Sequence, residues 1–168
     1  METIFKRRSI RNFKDIKVEQ SKIEKLIRAS MQAPSAGNQQ PWEFIVVQDK
    51  EKLSQLSQMS PYSKLIAKAP LAIILLGNED RMRFPENWEQ DLGAATQNLL
   101  LEAVELGLGA VWMSATPLED RMNHITNMFN LNKNIKPYCV VAVGYAADGQ
   151  ENKFIDRFDE SRVHYDSY

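Results

Sequence analysis

The sequence is poor in sulfhydryl and imidazole groups. It contains one cysteine and two histidines. A single cysteine cannot form an intrachain disulfide, and no CxxC or HExxH spacing is present to bind zinc. Cys139 lies between Tyr138 and Val140, which is typical of a strand interior, so we expect a core residue and not a nucleophile. His124 and His164 lie far apart in sequence, and we expect each at the surface.

A strong charge of one sign is missing too. Lysine and arginine total 21, aspartate and glutamate total 22, and the formal net charge is -1 at pH 7. No global field of either sign is therefore available to hold a nucleic acid or an anionic membrane. We expect no nucleic-acid partner, and any anion-binding site has to be local.

Long apolar runs are also lacking. The longest, over residues 70–76, is far shorter than the roughly 20 residues of a membrane span. The first residues are charged, unlike the apolar core of a signal peptide. We therefore expect no membrane partner and a cytoplasmic location.

What the sequence does contain is a regular alternation of helical and extended patterns. At 168 residues and 43% hydrophobic content, we expect one domain over residues 1–168. The helical patterns cover residues 19–31 (ended by Pro34), a segment capped by Asp49, 88–106 and 119–129; the strand patterns cover 42–48, 71–76, 110–113 and 137–145. Such alternation predicts a layered domain with helices on both faces of a sheet. The first two strands are apolar enough for its interior.

The last segment does not fit a self-contained domain. Residues 148–168 (DGQENKFIDRFDESRVHYDSY) are polar, contain several aromatic residues and show no periodicity. Such a segment has little reason to be ordered on its own chain. It either frays or wraps a partner.

A basic cluster lies near the N-terminus, in the segment KRRSIRNF. Arg7, Arg8, Ser9 and Arg11 lie within five residues of one another. Arginine forks bind phosphate bidentately and a serine hydroxyl adds a donor, so the cluster suits one local anion. The alternative is a solvated basic segment. A third interpretation, nucleic-acid binding, has little electrostatic support from one short cluster.

Two further segments combine small residues with polar groups. APSAGNQQPW, residues 33–42, allows backbone amides to approach a flat ligand and offers amide side chains to a heteroaromatic edge. GLGAVWMSATP, residues 107–117, is a strand whose small-residue end can face a cofactor. An ordinary loop and a tight connection explain these patterns equally well.

Basic residues recur in the tail, at Lys153, Arg157 and Arg162. Arg157 could complete a phosphate site begun at the N-terminus, although salt bridges with nearby acids would serve as well. The sequence contains no GxGxxG, Walker A or GxSxG motif. Without a metal motif or an evident nucleophile, difficult chemistry has to come from an organic cofactor.

Four of these segments occur in a characteristic order: RRSIRNF, APSAGNQQPWEF, WEQDLGAATQNLLLEAVELGLGAVWM, and VGY followed by a late arginine. In this combination the chain resembles the nitroreductase family of FMN-dependent enzymes over nearly its whole length. The resemblance implies an α+β fold, a three-layer α-β-α sandwich with a central mixed sheet. It also implies a homodimer with shared active sites, in which residues 148–168 of each subunit wrap the other.

The resemblance further implies which residues bind FMN. Arg7, Arg8, Ser9 and Arg11 match residues that divide between the phosphate and the pyrimidine side of the ring. Arg157 matches a C-terminal phosphate ligand. Where many relatives carry a second basic residue beside it, this chain has Ile155 and Asp156, with Lys153 as the substitute.

Other matching residues lie farther along the chain. One loop reaches the flavin held mainly by the other subunit, and its residues are Pro34, Ser35, Ala36 and Asn38. A strand end runs past the flavin N5, where a backbone amide can donate, and its residues are Met113, Ser114 and Ala115. Many relatives have glycine near the last two. Lys64 is matched to a charge near the flavin N1 and O2 atoms.

The implied activity is hydride transfer from NAD(P)H, through tightly bound FMN, to a nitroaromatic, a quinone or a similar acceptor, in a ping-pong sequence. No dedicated acid or base is expected. The alternatives are a dehalogenating, dehydrogenating or flavin-consuming enzyme on the same fold, or an FMN-binding sensor without turnover. Tyr62, Phe84 and Trp88 are candidates for the acceptor pocket, although such aromatic residues more often belong to a core.

Overall fold

A computed structural model describes residues 2–168 of the chain. The helices are α1 (Glu2–Lys6), α2 (Gln20–Met31), α3 (Lys50–Leu56), α4 (Trp88–Glu105) and α5 (Glu119–Phe129). The strands are β1 (Trp42–Val47), β2 (Leu71–Asn78), β3 (Gly109–Ser114) and β4 (Ile135–Gly144). Short 3-10 turns connect them, the longest over Pro61–Lys68.

Most of the predicted helices and strands are confirmed. The spacing of apolar residues predicted them because it depends on which face of each element is buried. In α2, Ile23 and Leu26 are buried at helical spacing. The side chain of Asp49 accepts a hydrogen bond of 2.9 Å from the backbone N–H of Lys52, which confirms it as the N-cap of α3. The short helix α1 was not predicted, since it buries no residue and carries no amphipathic pattern.

The sheet has the strand order β1-β2-β4-β3. All three pairings between these strands are antiparallel. The expected mixed sheet is therefore wrong for the single chain, whose parallel pairing within residues 2–168 is limited to an isolated bridge between Ser9 and Ala110. The alternation of helix and strand predicted the layers correctly, but it does not determine strand direction.

The strand β1 lies at one edge of the sheet, and this corrects the expectation of an interior position. Its burial is intermittent, and Val46 is 38% exposed. The strand β2 does lie inside, between β1 and β4, and its residues 71–77 are all buried. Strands covered on both faces usually have continuous apolar sequences. The sequence of β1 is of this kind, although the described chain does not cover both of its faces.

Alternate residues of the central strands serve two separate cores, which confirms the α+β class and the three layers. Ile73 and Leu75 face α2 and α4, together with Leu26 and Leu99. The opposite face of the sheet packs against α3, α5 and the Pro61–Lys68 turn; its buried residues include Ala72, Ile74, Leu53 and Ile125. No helix within residues 2–168 is both long enough and apolar enough to cross a lipid bilayer.

The tail, residues 148–168, extends along the surface with one short 3-10 turn at Glu160–Arg162. Nearly all of it is exposed, including large apolar side chains: Phe158 is 76% exposed and Tyr165 82%. Its aromatic contact with the rest of the chain is between Phe154 and Phe5, whose ring centroids lie 6.1 Å apart. Exposed aromatic residues of this kind are typical of a surface that another chain covers.

We predict that Cys139 is unreactive in the folded protein. It is fully buried, its Sγ lies 3.5 Å from Thr96 Oγ1, and burial raises its pKa to about 12. Ellman's reagent should therefore detect no thiol in the native chain and one after unfolding in guanidinium chloride. Rapid native labelling would contradict the buried position.

The raised pKa also predicts how stability changes in alkali. The neutral thiol is favoured in the folded state, so its contribution is complete below the unfolded thiol pKa of about 8.5 and declines as pH rises toward about 12. Between about pH 8.5 and 10, the free energy of unfolding should fall by at most about 1.4 kcal/mol per pH unit from this group. The matched variant Cys139→Ala should lack this decline.

Candidate functional site

Both ends of the chain contribute to one cluster of positive charge, which we call the arginine corner: Arg7, Arg8 and Arg157. The three side chains line a cavity of about 300 Å³. The aromatic pair of Phe5 and Phe154 also lines it and connects α1 to the tail. The corner thus exists because the tail returns to the N-terminal segment.

The guanidinium group of Arg8 is the least satisfied part of this corner. Its Nη1 donates to the backbone oxygen of Arg7, while Nε and Nη2 are buried and have no hydrogen-bond partner among the described residues. Its backbone N–H donates to Asn152 Oδ1 at 3.0 Å, and Asn152 Nδ2 donates to the oxygen of Leu108 at 3.1 Å. The backbone of Arg8 is therefore fixed while its side chain lacks acceptors.

The corner carries an excess of positive charge, since Asp156 is the one acid among the described residues that lines the cavity beside the three arginines. Desolvation lowers the pKa of Arg8, and the neighbouring charges of Arg157 and Arg7 lower it further. Across residues 2–168, none of these three arginines forms an ion pair with a carboxylate. Orphaned donors and like charges in one cavity fit a multiply charged anion such as a phosphate group.

The fold places this corner beside the beginning of β3. Ser9 pairs with Ala110, and the N–H of Ile10 donates to the oxygen of Ala110 at 3.0 Å. This close approach requires the glycine at position 109, since a Cβ there would lie 2.6 Å from Ile10 Cγ2. The small residues of GLGA thus allow the arginine segment to lie against the strand.

The outer edge of β3 continues from this corner to Ser114. Ala110 accepts from Ile10 on that edge, whereas the N–H of Ala115 donates to Tyr138 on β4 at 2.9 Å. Because backbone groups alternate in direction along a strand, the N–H of Ser114 points to the outer edge. The oxygen of Ser114 confirms this direction, since it accepts from Arg121 Nη1 at 2.9 Å. From Ala110 to Ser114 the edge spans about 14 Å.

The three strand-end residues predicted from the sequence therefore differ in what they offer. Ser114 is exposed, and its amide faces outward. Ala115 is buried with its amide already bonded, and Met113 is half-buried with backbone groups directed toward β4. Of the three, Ser114 is the residue whose backbone can donate to a ligand.

The loop before β1 has an unusual backbone. Gly37, Asn38 and Gln40 all have positive φ values, of 52°, 55° and 49°. Ser35 Oγ accepts from the N–H of Gln40 at 3.0 Å, and Asn38 Oδ1 accepts from Gln40 Nε2 at 2.9 Å. Such left-handed conformations cost energy for residues other than glycine, so other contacts have to hold them.

The single chain does not bring this loop to the arginine corner. The loop leads into β1, at one edge of the sheet, while the corner adjoins β3 at the other edge. Three strand spacings, or about 14 Å, separate the edges. Pro34 and Asn38 are exposed, whereas Ser35 and Ala36 are half-buried. The loop and the corner of one chain thus belong to different surfaces.

The remaining predicted residues lie at the surface. Ser9 and Arg11 are exposed beside the corner, where the N–H of Arg11 donates to Gln150 Oε1 at 3.2 Å. Lys153 is exposed and lies 4.0 Å from Glu151. Lys64 is exposed on the Pro61–Lys68 turn, and among the described residues no hydrogen bond or ion pair joins it to the corner.

The aromatic residues proposed for a pocket wall differ in environment. Tyr62 is 79% exposed and Phe84 37%. Trp88 is half-buried against Tyr138, with ring centroids 5.9 Å apart, so it belongs mainly to the core. Burial raises the pKa of Tyr138 to about 12. Phe84 packs over the loop, since a Cβ at Gly37 would lie 2.4 Å from its ring.

The sequence reasoning missed Asp91, and it expected the amide of Gln39 to face a ligand, whereas Gln39 is 8% exposed and its amide contacts Asp91 and Phe84. Asp91 is 4% exposed; its Oδ1 accepts from the N–H of Ala36 at 2.9 Å and its Oδ2 from Gln39 Nε2 at 2.6 Å. A lone acid in the apolar segment DLGAATQNLLL was a usable signal, because buried carboxylates need partners.

Within residues 2–168, no group of three potential metal-binding side chains occurs.

Comparison with known proteins identifies the class of enzyme. The chain is 39% identical over 168 residues to a Methanothermobacter thermautotrophicus protein named NADH dehydrogenase/NAD(P)H nitroreductase, covering all of this chain and 87% of that one. It also matches the crystal structure of a Clostridium acetobutylicum protein described as an NADH oxidase, with 58% identity, a TM-score of 0.97 and 99% coverage of both chains. The chain is an oxidoreductase.

The family is shown as well. The model of the nitroreductase family matches residues 4–73 and 54–145, and this chain belongs to that family. A nitroreductase from Desulfovibrio desulfuricans, solved in complex with FMN, is 26% identical with a TM-score of 0.84, covering 99% of this chain and 95% of that one. The family resemblance stated from the sequence is confirmed.

We predict that Arg8 lowers the thermal stability of the chain when no anion is bound. Replacing it in Arg8→Met removes a desolvated charge that Arg157 and Arg7 repel, so the melting temperature of the ligand-free chain should rise. Inorganic phosphate should raise the melting temperature of the parent chain and have little effect on the variant.

Arg28→Met is the matched control. Arg28 is paired with Glu24 at 2.6 Å on the exposed face of α2, far in sequence from the corner. This control should keep the phosphate response and gain no stability. A variant at position 8 that still responds fully to phosphate would contradict the assignment of Arg8.

Proposed function

We propose that this chain is an FMN-dependent oxidoreductase that passes hydride from NAD(P)H, through the flavin N5, to nitroaromatic, quinone or similar electron-poor acceptors in a ping-pong sequence. The observation that carries the proposal is the arginine corner, whose three arginines form no ion pair among the described residues, at one end of an open strand edge. The FMN-bound relative and the reductase names of related proteins support it.

The phosphate of FMN fits the arginine corner. It would supply the acceptors that Arg8 Nε and Nη2 lack, and its charge would offset the repulsion among Arg7, Arg8 and Arg157. Ser9 and Arg11 lie beside the corner on the same segment, with Lys153 nearby on the tail. In this proposal the protein contributes binding and orientation, and the cofactor contributes the redox chemistry.

The ring of FMN fits farther along the outer edge of β3. The N–H of Ser114, which lies between Met113 and Ala115 in the strand end, points to that edge. We assign this N–H as the donor to the flavin N5. A fixed donor costs no reorganisation during reaction, and this makes backbone amides effective at reacting centres. Lys64 is the proposed positive charge at the opposite side of the ring.

We further propose that two chains share each site. The loop residues Pro34, Ser35, Ala36 and Asn38 lie at the β1 edge and cannot reach the corner of their own chain. A second copy can bring its loop to the corner of the first. The exposed tail residues of each chain, such as Phe158 and Tyr165, would then pack against the other chain. An interface of this obligate kind should bury more than about 2,000 Å².

The proposed activity is tested with the purified chain and its visible spectrum. We expect the absorption of bound FMN, complete bleaching when NADH or NADPH is added without air, and recovery of colour with a nitroaromatic or a quinone. Persistent colour after nicotinamide addition would instead indicate an FMN-binding sensor, and a colourless protein that cannot be loaded with FMN would reject the proposal.

The phosphate ligands give a matched pair of variants. Arg7→Met and Arg157→Met should each weaken FMN binding by about tenfold or more, because hydrogen bonds to charged groups contribute roughly 1.5–3 kcal/mol. Arg28→Met, whose arginine lies outside the corner, should leave the dissociation constant unchanged. Equal FMN affinity in all four proteins would contradict the proposed phosphate site.

The shared site is tested by shortening the tail. A chain that ends at residue 158 keeps Arg157 but loses the exposed Val163, Tyr165 and Tyr168. We expect it to sediment as a monomer and to lose FMN, although its own arginines remain. A shortened chain that is monomeric, yellow and active would rule out the shared site.

A further inference from the structure

A buried carboxylate holds the loop before β1. Asp91 lies in the first turn of α4 and is 4% exposed. Its two oxygens accept from the N–H of Ala36 at 2.9 Å and from Gln39 Nε2 at 2.6 Å. A buried charge is costly unless hydrogen bonds compensate it, so both donors are needed where they lie.

Gln39 extends this network to the segment between β2 and α4. Its Oε1 accepts from the N–H of Phe84 at 2.9 Å, and its Nε2 donates to the oxygen of Phe84 at 3.2 Å. One amide side chain thus satisfies both backbone groups of Phe84 and one oxygen of Asp91. Gln39 itself is 8% exposed, so water is a poor substitute for these partners.

The loop would not keep its shape without these contacts. Asn38 and Gln40 hold left-handed conformations that are unfavourable for residues with a Cβ. Gly37 lies so close to Phe84 that a Cβ would overlap its ring. Asp91 and Gln39 therefore hold the backbone beside the strained residues, at Ala36, and the aromatic residue packed on Gly37.

We propose that Asp91 and Gln39 are positioning residues of the flavin site, which hold the loop over residues 34–40 and Phe84 in one arrangement that FMN and acceptor can use. The inference rests on the proposed function, since it takes this loop as the one that reaches FMN. Neither side chain has to touch the cofactor; each acts through the backbone that it orients.

The hydrogen-bond polarity makes the proposal specific. In Asp91→Asn, the new amide has one oxygen for two donors, the N–H of Ala36 and Gln39 Nε2, so one donor faces another donor. Turning Gln39 over relieves that conflict but places its NH₂ group against the N–H of Phe84. No orientation of the two amides satisfies the network, although the change in volume is minimal.

The reversed pair restores most of the network. In Asp91→Asn combined with Gln39→Glu, the new amide on α4 accepts from the N–H of Ala36 and donates to the new carboxylate on the loop. That carboxylate also accepts from the N–H of Phe84. The contact with the oxygen of Phe84 is not regained, because a carboxylate oxygen then faces that carbonyl oxygen and the two acceptors repel, so we expect only partial recovery. The net charge is unchanged, so recovery in the double variant measures polarity and not charge.

The test uses the full-length chain, first shown to bind FMN as wild type. Asp91→Asn should weaken FMN binding at least about tenfold, the loss expected for a hydrogen bond to a charged group. It should also change the visible circular dichroism of bound FMN, which reports the geometry around the ring. The double variant should regain part of the affinity and shift the spectrum back toward that of wild type.

Thr96→Val is the matched control on the same helix. Thr96 is buried and donates to the oxygen of Leu92 at 2.7 Å, but it does not contact the loop. Its replacement should lower the melting temperature while leaving FMN affinity and dichroism unchanged. If Asp91→Asn does not fold, Gln39→Met serves instead, because it lies on the loop and removes the contacts with Phe84.

The outcomes separate the two proposals. Wild type that binds no FMN would reject the proposed function before any variant is made. Wild type that binds FMN, with an Asp91→Asn or Gln39→Met variant that is less stable yet keeps the affinity and dichroism, would overturn the positioning role alone. Loss in the single variant without recovery in the double variant would also overturn it, since polarity would then not be the cause.

Discussion

The desolvated guanidinium group of Arg8, with the charges of Arg157 and Arg7 beside it, is the constraint on which the rest of this structure depends. Arg7, Arg8 and Arg157 line one cavity in which none of them forms an ion pair among the described residues, although Asp156 also lines it, and part of Arg8 is desolvated with unused donors. We expect such a cluster to destabilise the ligand-free chain, and two contacts hold the segment in place: the pairing of Ser9 with Ala110 and the Asn152 bridge to Leu108. Unused donors and neighbouring charges of this kind support the proposal that an anion binds here.

The sheet places the arginine corner at one end of an exposed strand edge, so the two ends of that edge differ. One strand edge begins at the arginine corner and ends at an outward amide, so an elongated ligand with a charged end can lie along it in one orientation. The opposite edge carries the loop with left-handed residues. In the proposed shared site these two surfaces would be the complementary halves, and each chain of a symmetric pair would supply both.

Helices and strands followed from the sequence because burial on a layered sheet imposes strict apolar spacing. Strand direction did not, since both directions bury the same residues, and β1 has an apolar sequence although it lies at an edge. The arginines were identified by residue type and by resemblance, while their lack of counter-charges needed three-dimensional distances. Asp91 was missed, and the amide of Gln39 was expected to face a ligand, because the role of each depends on which donors and acceptors face it, and sequence spacing does not contain that information.

The position of Cys139 has a further consequence for a chain in an oxidoreductase family. Exposed thiolates are the protein groups that oxidants such as hydrogen peroxide attack first, and the resulting sulfenic acids commonly inactivate enzymes. Here the single sulfur of this kind is sealed between two layers, protonated and beyond the reach of solvent. The chain therefore presents no sulfhydryl target to reactive oxygen formed beside it.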